Sequence, residues 1–169
     1  MVVNLSKCGA TFVALALALS IIACSDDSDD DEVTRDYTEA DDEIICLILY
    51  ACNDAIDDGE YGYSVSGLTI TYKLNKITYT ETTEYDDSQK SVTILTGSTM
   101  TAKFDSDSLT SGSMIYDVDA TIDGSAHSVY ISLTFTSSGN SVNFQKIILD
   151  GETLTGVEGY TNISAALTS

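Results

Sequence analysis

The sequence predicts a mainly β domain, an antiparallel β-sandwich or open barrel of about six to eight strands with one N-terminal helix packed on it. Three features predict this. From Gly62 onward apolar residues recur at every second position, the period of a strand with one buried face. Short Asp-Gly, Gly-Asn and Ser-rich junctions separate the runs, as hairpin turns do. One stretch, residues 44–56, instead repeats its apolar residues at three- and four-residue spacing.

The chain opens differently. Met1 to Cys8 carries one cation, Lys7, and no acid, and Gly9 to Ala23 is an uncharged, largely apolar run of 15 residues. At ~1.5 Å per residue a helix of that length reaches about 22 Å, short of the ~30 Å hydrocarbon core of a bilayer. An export signal over residues 1–23 fits better than a membrane span. The run stops at Ile21-Ile22-Ala23-Cys24. This resembles the lipobox of bacterial lipoproteins, with Ile21 at the aliphatic position, Ala23 at the small one and Cys24 as the lipidated residue. The resemblance implies cleavage before Cys24, acylation of its thiol, and anchoring to a membrane through the acyl chains.

Ser25-Asp26-Asp27-Ser28-Asp29-Asp30-Asp31-Glu32 follows. These residues repel one another and cannot enter hydrocarbon, so 24–38 reads as an extended acidic tether. Serine directly after the cysteine is similar to lipoproteins sorted to the outer membrane in enterobacterial-type cells. The acids after it resemble the surface-export signal of Bacteroidetes lipoproteins. Both resemblances imply a lipid-anchored protein of the bacterial envelope, at the outer membrane or cell surface.

Residues 39–59 read as the helix. Thr38 is placed to cap it, Asp41 lies three residues on, and Asp41-Asp42-Glu43 set negative charge at its positive end. Ile44, Ile48, Ala51 and Ala55 form one stripe flanked by Ile45, Cys52 and Ile56, while Tyr50, Asn53, Asp54 and Asp57 face water. Gly59 is the expected stop. A buried strand over Ile44–Tyr50 is the rival, because the run is unbroken and rich in isoleucine. With Cys24 acylated, Cys46 and Cys52 remain as a possible disulfide pair in an oxidising compartment. On a straight helix they would stand ~9 Å apart along the axis and ~120° apart around it, too far to bond. A bond therefore needs a broken helix; otherwise both are small buried apolar residues.

Residues 60–156 read as the β domain. Val65, Leu68 to Leu74, Ile77 to Thr80, Ser91 to Ile94 and Met100 to Phe104 supply its first strands. Met114 to Ile122 is the cleanest alternation, with Asp117 and Asp119 outward. Asp123-Gly124 turns into Val129 to Phe135, and Gly139-Asn140 into Val142 to Phe144. The face shifts near Lys146, which predicts a bulge before Ile147-Ile148-Leu149. Asp150-Gly151 turns toward Leu154, and residues 157–169 form a weakly patterned tail.

Composition restricts function. Removing residues 1–23 takes away Lys7 and no acid, leaving 6 basic against 27 acidic side chains, a formal charge of −21. Nucleic acid, which needs a cationic footprint, is excluded as a partner. Solubility alone accounts for such a charge; a cationic polypeptide or a metal ion would also match it. His127 is the only histidine and sits in a polar turn; no serine-hydrolase elbow, zinc-protease motif or phosphate loop is present. Asp117 with Asp119, and Asp105 with Asp107, are weak candidates for calcium, against the simpler reading of solvated surface acids. An EF-hand counted back from Gly59 begins at Asp54 but meets Ile56 at its third position and Val65 at its twelfth, so it fails. Ten tyrosines against four phenylalanines and no tryptophan leave Tyr61, Tyr63, Tyr72, Tyr79, Tyr85, Tyr116 and Tyr130 in or near strands. Tyrosine suits half-buried sheet positions as well as contact surfaces for protein or glycan.

Two classes of function follow. One is a non-enzymatic binding or structural module facing an envelope protein, a cationic polypeptide or a glycan, including an inhibitor or sequestering module for a cationic protein. The other is a small metal-dependent or carboxylate-based hydrolase whose acids meet only in the fold.

Overall fold

The computed structural model describes residues 32–83, 86–108, 110–136 and 141–156. The signal, Cys24, the acids Asp26 to Asp31, Tyr85, the Gly139-Asn140 turn and the tail 157–169 lie outside these residues.

The helix forms where its caps place it. α1 spans Glu39–Asp57 and opens on a capping box, the Thr38 side chain accepting from the Asp41 amide and the Asp41 side chain from the Thr38 amide. It closes on Gly59 at φ +76°, with the Gly59 N–H on the Ile56 carbonyl and the Glu60 N–H on the Ala55 carbonyl. Ile45 to Leu49, Ala51, Cys52 and Ala55 are buried, while Ile44, Tyr50, Asn53 and Ile56 are half-buried. The buried arc is thus wider than one stripe, which is why the run at 44–50 also reads as a strand.

Among the described residues ten strands form one open sheet, against the expected six to eight. They are β1 (Thr34–Asp36), β2 (Tyr61–Ser66), β3 (Thr69–Leu74), β4 (Ile77–Thr82), β5 (Gln89–Ile94), β6 (Thr99–Phe104), β7 (Ser111–Ile122), β8 (Ser125–Thr136), β9 (Ser141–Leu149) and β10 (Glu152–Thr155). The main path runs β1-β10-β9-β8-β7-β6-β3-β2. The sheet forks at β7. Its first half pairs with β6 from Gly112 to Asp117, and its second half with β5 from Ala120 to Ile122, β5 carrying β4 outward. α1 packs against β3, β4, β5 and β7, so helix and forked sheet enclose one core without a second sheet.

The turns follow their chemistry. Asp123-Gly124 and Asp150-Gly151 each hold both central residues at positive φ, the two-residue hairpin turn whose twist matches the strands. The predicted face shift is a bulge, since Ser132 pairs with Lys146 but Leu133 with Phe144, leaving Gln145 extra. Gly112 is required by packing, because a Cβ there would lie 2.2 Å from the Lys103 carbonyl oxygen. The Phe104 and Phe135 rings flank it and meet edge-to-face at 5.7 Å.

The tether reading needs one correction. Thr34–Asp36, placed in the tether at 24–38, forms β1 and pairs parallel with β10. Arg35 explains the recruitment. Its guanidinium takes both Asp41 oxygens at 2.6 and 2.7 Å and also bonds Glu152, tying β1 to the helix start and to β10. Burial pushes the Asp41 carboxyl upward, but the bonds from Arg35 and Thr38 outweigh it and hold it below the usual carboxylate range. Tyr37 Oη donates to buried Asp42 at 2.8 Å, and Lys146 reaches Glu32 at 2.7 Å.

Candidate functional site

Each face of the sheet carries side chains in rows across the strands. One inner row runs Ile147, Ile131, Tyr116, Met100, Tyr72, Tyr63, and the next runs Phe144, Leu133, Met114, Ala102, Ile70, Val65. The first is buried at mid-sheet and the second buried or half-buried, and both reach solvent at β2, where Tyr63 is 67 % and Val65 60 % exposed. These two residues continue the core's own face beyond the part that α1 covers. Tyr61, Tyr63 and Tyr72 gather there, with ring centroids 5.1 Å apart for Tyr61–Tyr72 in an edge-on contact and 6.4 Å apart for the other two pairs.

The backbone of β2 is open as well. The Asn75 N–H donates to the Glu60 carbonyl, and the Leu74 N–H turns the other way, to the Ser98 carbonyl. In an antiparallel ladder bonded and non-bonded pairs alternate, so Tyr61, Tyr63 and Val65 turn their amides and carbonyls away from β3. The same three residues therefore offer free backbone groups and an apolar face.

The other tyrosines take different places. Tyr116 is buried in the core, and its hydroxyl pKa is raised by that burial and by Cys52 nearby. Tyr130 lies on the outer face opposite Asp117. Tyr79 donates to Asp58 at 3.1 Å, and burial, that bond and the charges of Asp58, Asp54 and Glu60 raise its pKa.

The acids singled out in the sequence do not converge. Asp117 and Asp119 point outward from β7 with Thr99, Tyr130 and Ser128 as cross-strand neighbours. Asp105 accepts from the Ser111 hydroxyl at 2.7 Å, and Asp107 is exposed in the same loop. No group of three His, Cys, Asp or Glu side chains able to hold a metal occurs among the described residues. His127 Nδ1 lies 2.9 Å from Asp150, whose other oxygen accepts the Ser128 N–H at 2.8 Å, so this pair clamps the start of β8 to the β9–β10 turn. No disulfide joins Cys46 and Cys52. Both are buried on the unbroken α1, and burial pushes the Cys52 thiol up to about 12.

Sequence reasoning missed Glu81. It projects from β4 toward Asp54 on α1, and burial, the Asp54 charge and a shared hydrogen bond raise its carboxyl to about 7. Only the alternation of Ile77, Tyr79 and Glu81 hinted at an inward acid. The nearby recess between α1 and the end of β4 is lined by Asp42, Glu43, Cys46, Leu47, Tyr50, Thr82 and Thr83. It measures about 10 Å³, room for one water, and neither Glu81 nor Asp54 lines it.

No helix among the described residues is long and apolar enough to cross a membrane. Comparison of the chain with protein-family models, with curated proteins and with solved structures gives no match.

Proposed function

We propose that this chain is a lipid-anchored, non-enzymatic binding module of the bacterial envelope, displayed at the outer membrane or cell surface. The observation that carries the binding part is the β2 edge, with Tyr63 and Val65 exposed on a face whose other residues are buried or half-buried. Patches of this kind mark contact surfaces, whereas small-molecule chemistry takes place in clefts of several hundred Å³. The anchoring part rests on Ile21-Ile22-Ala23-Cys24 at the end of an apolar run and on the acids after it. Two or three acyl chains on Cys24 hold a protein stably at a bilayer, and the tether spaces the domain from an anionic surface.

Crosslinking in intact cells that carry the acylated chain tests this reading. The expected result is a discrete adduct with a protein or glycan of the envelope, recovered in the membrane fraction. Recovery of the chain in the soluble fraction, with no adduct, would contradict it.

A further inference from the structure

We propose that the β2 edge binds an extended, cationic segment of a partner polypeptide, which adds to the sheet as an eleventh strand beside Tyr61–Ser66. The inference rests on the binding-module reading and specifies its mode and its partner's chemistry.

Among the described residues three strands end the sheet, and they differ. β1 has three residues, two of them the charged Arg35 and Asp36. β4 directs Glu81 inward. Short length, charge and inward acids are the devices by which proteins protect an edge from pairing. β2 has none of them: six residues, Tyr-Gly-Tyr-Ser-Val-Ser, with no charge and no proline, in unshifted register with β3 from Tyr61↔Leu74 to Ser66↔Thr69. An added strand would bond the outward amides and carbonyls of Tyr61, Tyr63 and Val65. Its alternate side chains would cover the Tyr61, Tyr63 and Tyr72 rings and Val65. Main-chain bonds give such a complex affinity, and alternate side chains give it selectivity.

The charge of the partner follows from what precedes β2. Asp54, Asp57, Asp58 and Glu60 cluster at the C-terminal end of α1 and in the link to Tyr61, and the last turn of the helix holds no basic residue. A helix C-terminus carries partial negative charge and favours cations, so these acids stand against the helix dipole. Within the described residues the partners seen on this cluster include no cation: Tyr79 bonds Asp58, Asn75 bonds Glu60, and Glu81, itself an acid, bonds Asp54. A strand lying antiparallel to β2 would place its C-terminal end beside these carboxylates, where lysine or arginine would relieve the repulsion. A second copy of the chain would bring a further 20 net negative charges to the same edge.

The full chain can be titrated with three synthetic peptides: six residues of alternating valine and threonine followed by three lysines, the same six followed by three glutamates, and the lysine peptide with a central proline. The lysine peptide is expected to bind saturably and to shift the amide resonances of residues 61–66. The other two should bind at least tenfold more weakly. Tyr63→Pro removes an outward donor while leaving the ladder to β3 intact, and Val65→Lys places a charge on the face; each should weaken the lysine peptide at least tenfold. Melting curves identify either variant that fails to fold, and the other then carries the test.

Equal binding of the lysine and glutamate peptides, no shift at residues 61–66, or indifference to both substitutions would overturn the inference. A Tyr63-dependent dimer in sedimentation would also overturn it, by making a second copy the occupant. An envelope adduct that persists in both variants would leave the binding-module reading standing and defeat only this one. Peptide pairing without any envelope adduct would do the reverse.

Discussion

The Ser98 hydroxyl donates to the Asp119 carbonyl oxygen and accepts from the Asp119 N–H, each at 3.1 Å, where β7 changes its partner from β6 to β5. The Leu95 N–H reaches the same carbonyl at 2.8 Å, and the Ser98 carbonyl accepts from Leu74. One buried side chain thus does for Asp119 what a neighbouring strand does elsewhere along β7. The fork in the sheet depends on it.

Ser98→Ala leaves the part-buried Asp119 amide without that acceptor, a loss of about 1 kcal/mol. Urea denaturation of parent and variant should show the midpoint falling with an unchanged slope. A variant as stable as the parent would mean that the link from Leu95 to Ser98 is not what holds the fork.

Glu81 makes stability depend on pH. Its carboxyl is held at about 7 in the fold, above the usual 4.5, so the protonated form is the one the fold prefers. The contribution is fully present below pH ~4.5 and is lost as pH rises through about 7. Glu81→Gln should therefore match the parent near pH 4 and exceed it near pH 8. The difference is about 1 kcal/mol once reduced for the solvent that reaches the side chain. Thermal melts at the two pH values check this, and an advantage confined to low pH would contradict a raised Glu81 pKa.

Much of the architecture was legible because its signals are local. Thr38 with Asp41, Gly59, the two Asp-Gly turns and the shift near Lys146 each produced the expected feature at the expected residue. The fork was not legible, since it depends on Ser98 meeting Asp119 across 21 residues and neither residue is unusual in sequence. β1 was missed for a similar reason. Three residues show no alternation, and their recruitment rests on Arg35 bonding Glu152 at the far end of the domain. Of the candidate site, sequence supplied the tyrosines but not their sorting, because whether a tyrosine is core or surface depends on which strand ends the sheet.

Asp117 and Asp119 share an outer face, two residues apart on one strand. Replacing both by asparagine should leave the melting temperature unchanged or slightly raised at low salt, with the difference fading at ~0.5 M where screening falls below ~5 Å. Calorimetry with and without calcium provides the contrast. Saturable stabilisation by calcium that the double variant loses would make these acids a metal site and revive the hydrolase reading.

Cys46 and Cys52 are buried on α1, and the Cys52 thiol is pushed up to about 12, so neither should react with a thiol reagent in the native protein. The acylated, cleaved chain should yield two reactive thiols after unfolding. A value of zero under non-reducing denaturation would mean that the two are bonded and that α1 is broken between them.

The central claim is that Cys24 carries the anchor of an envelope binding module. Metabolic labelling with a radioactive fatty acid, in cells producing the parent or Cys24→Ser, tests it most directly. The account predicts label and membrane association in the parent, and neither in the variant, which should persist as an uncleaved precursor. A variant labelled and retained as strongly as the parent would contradict it.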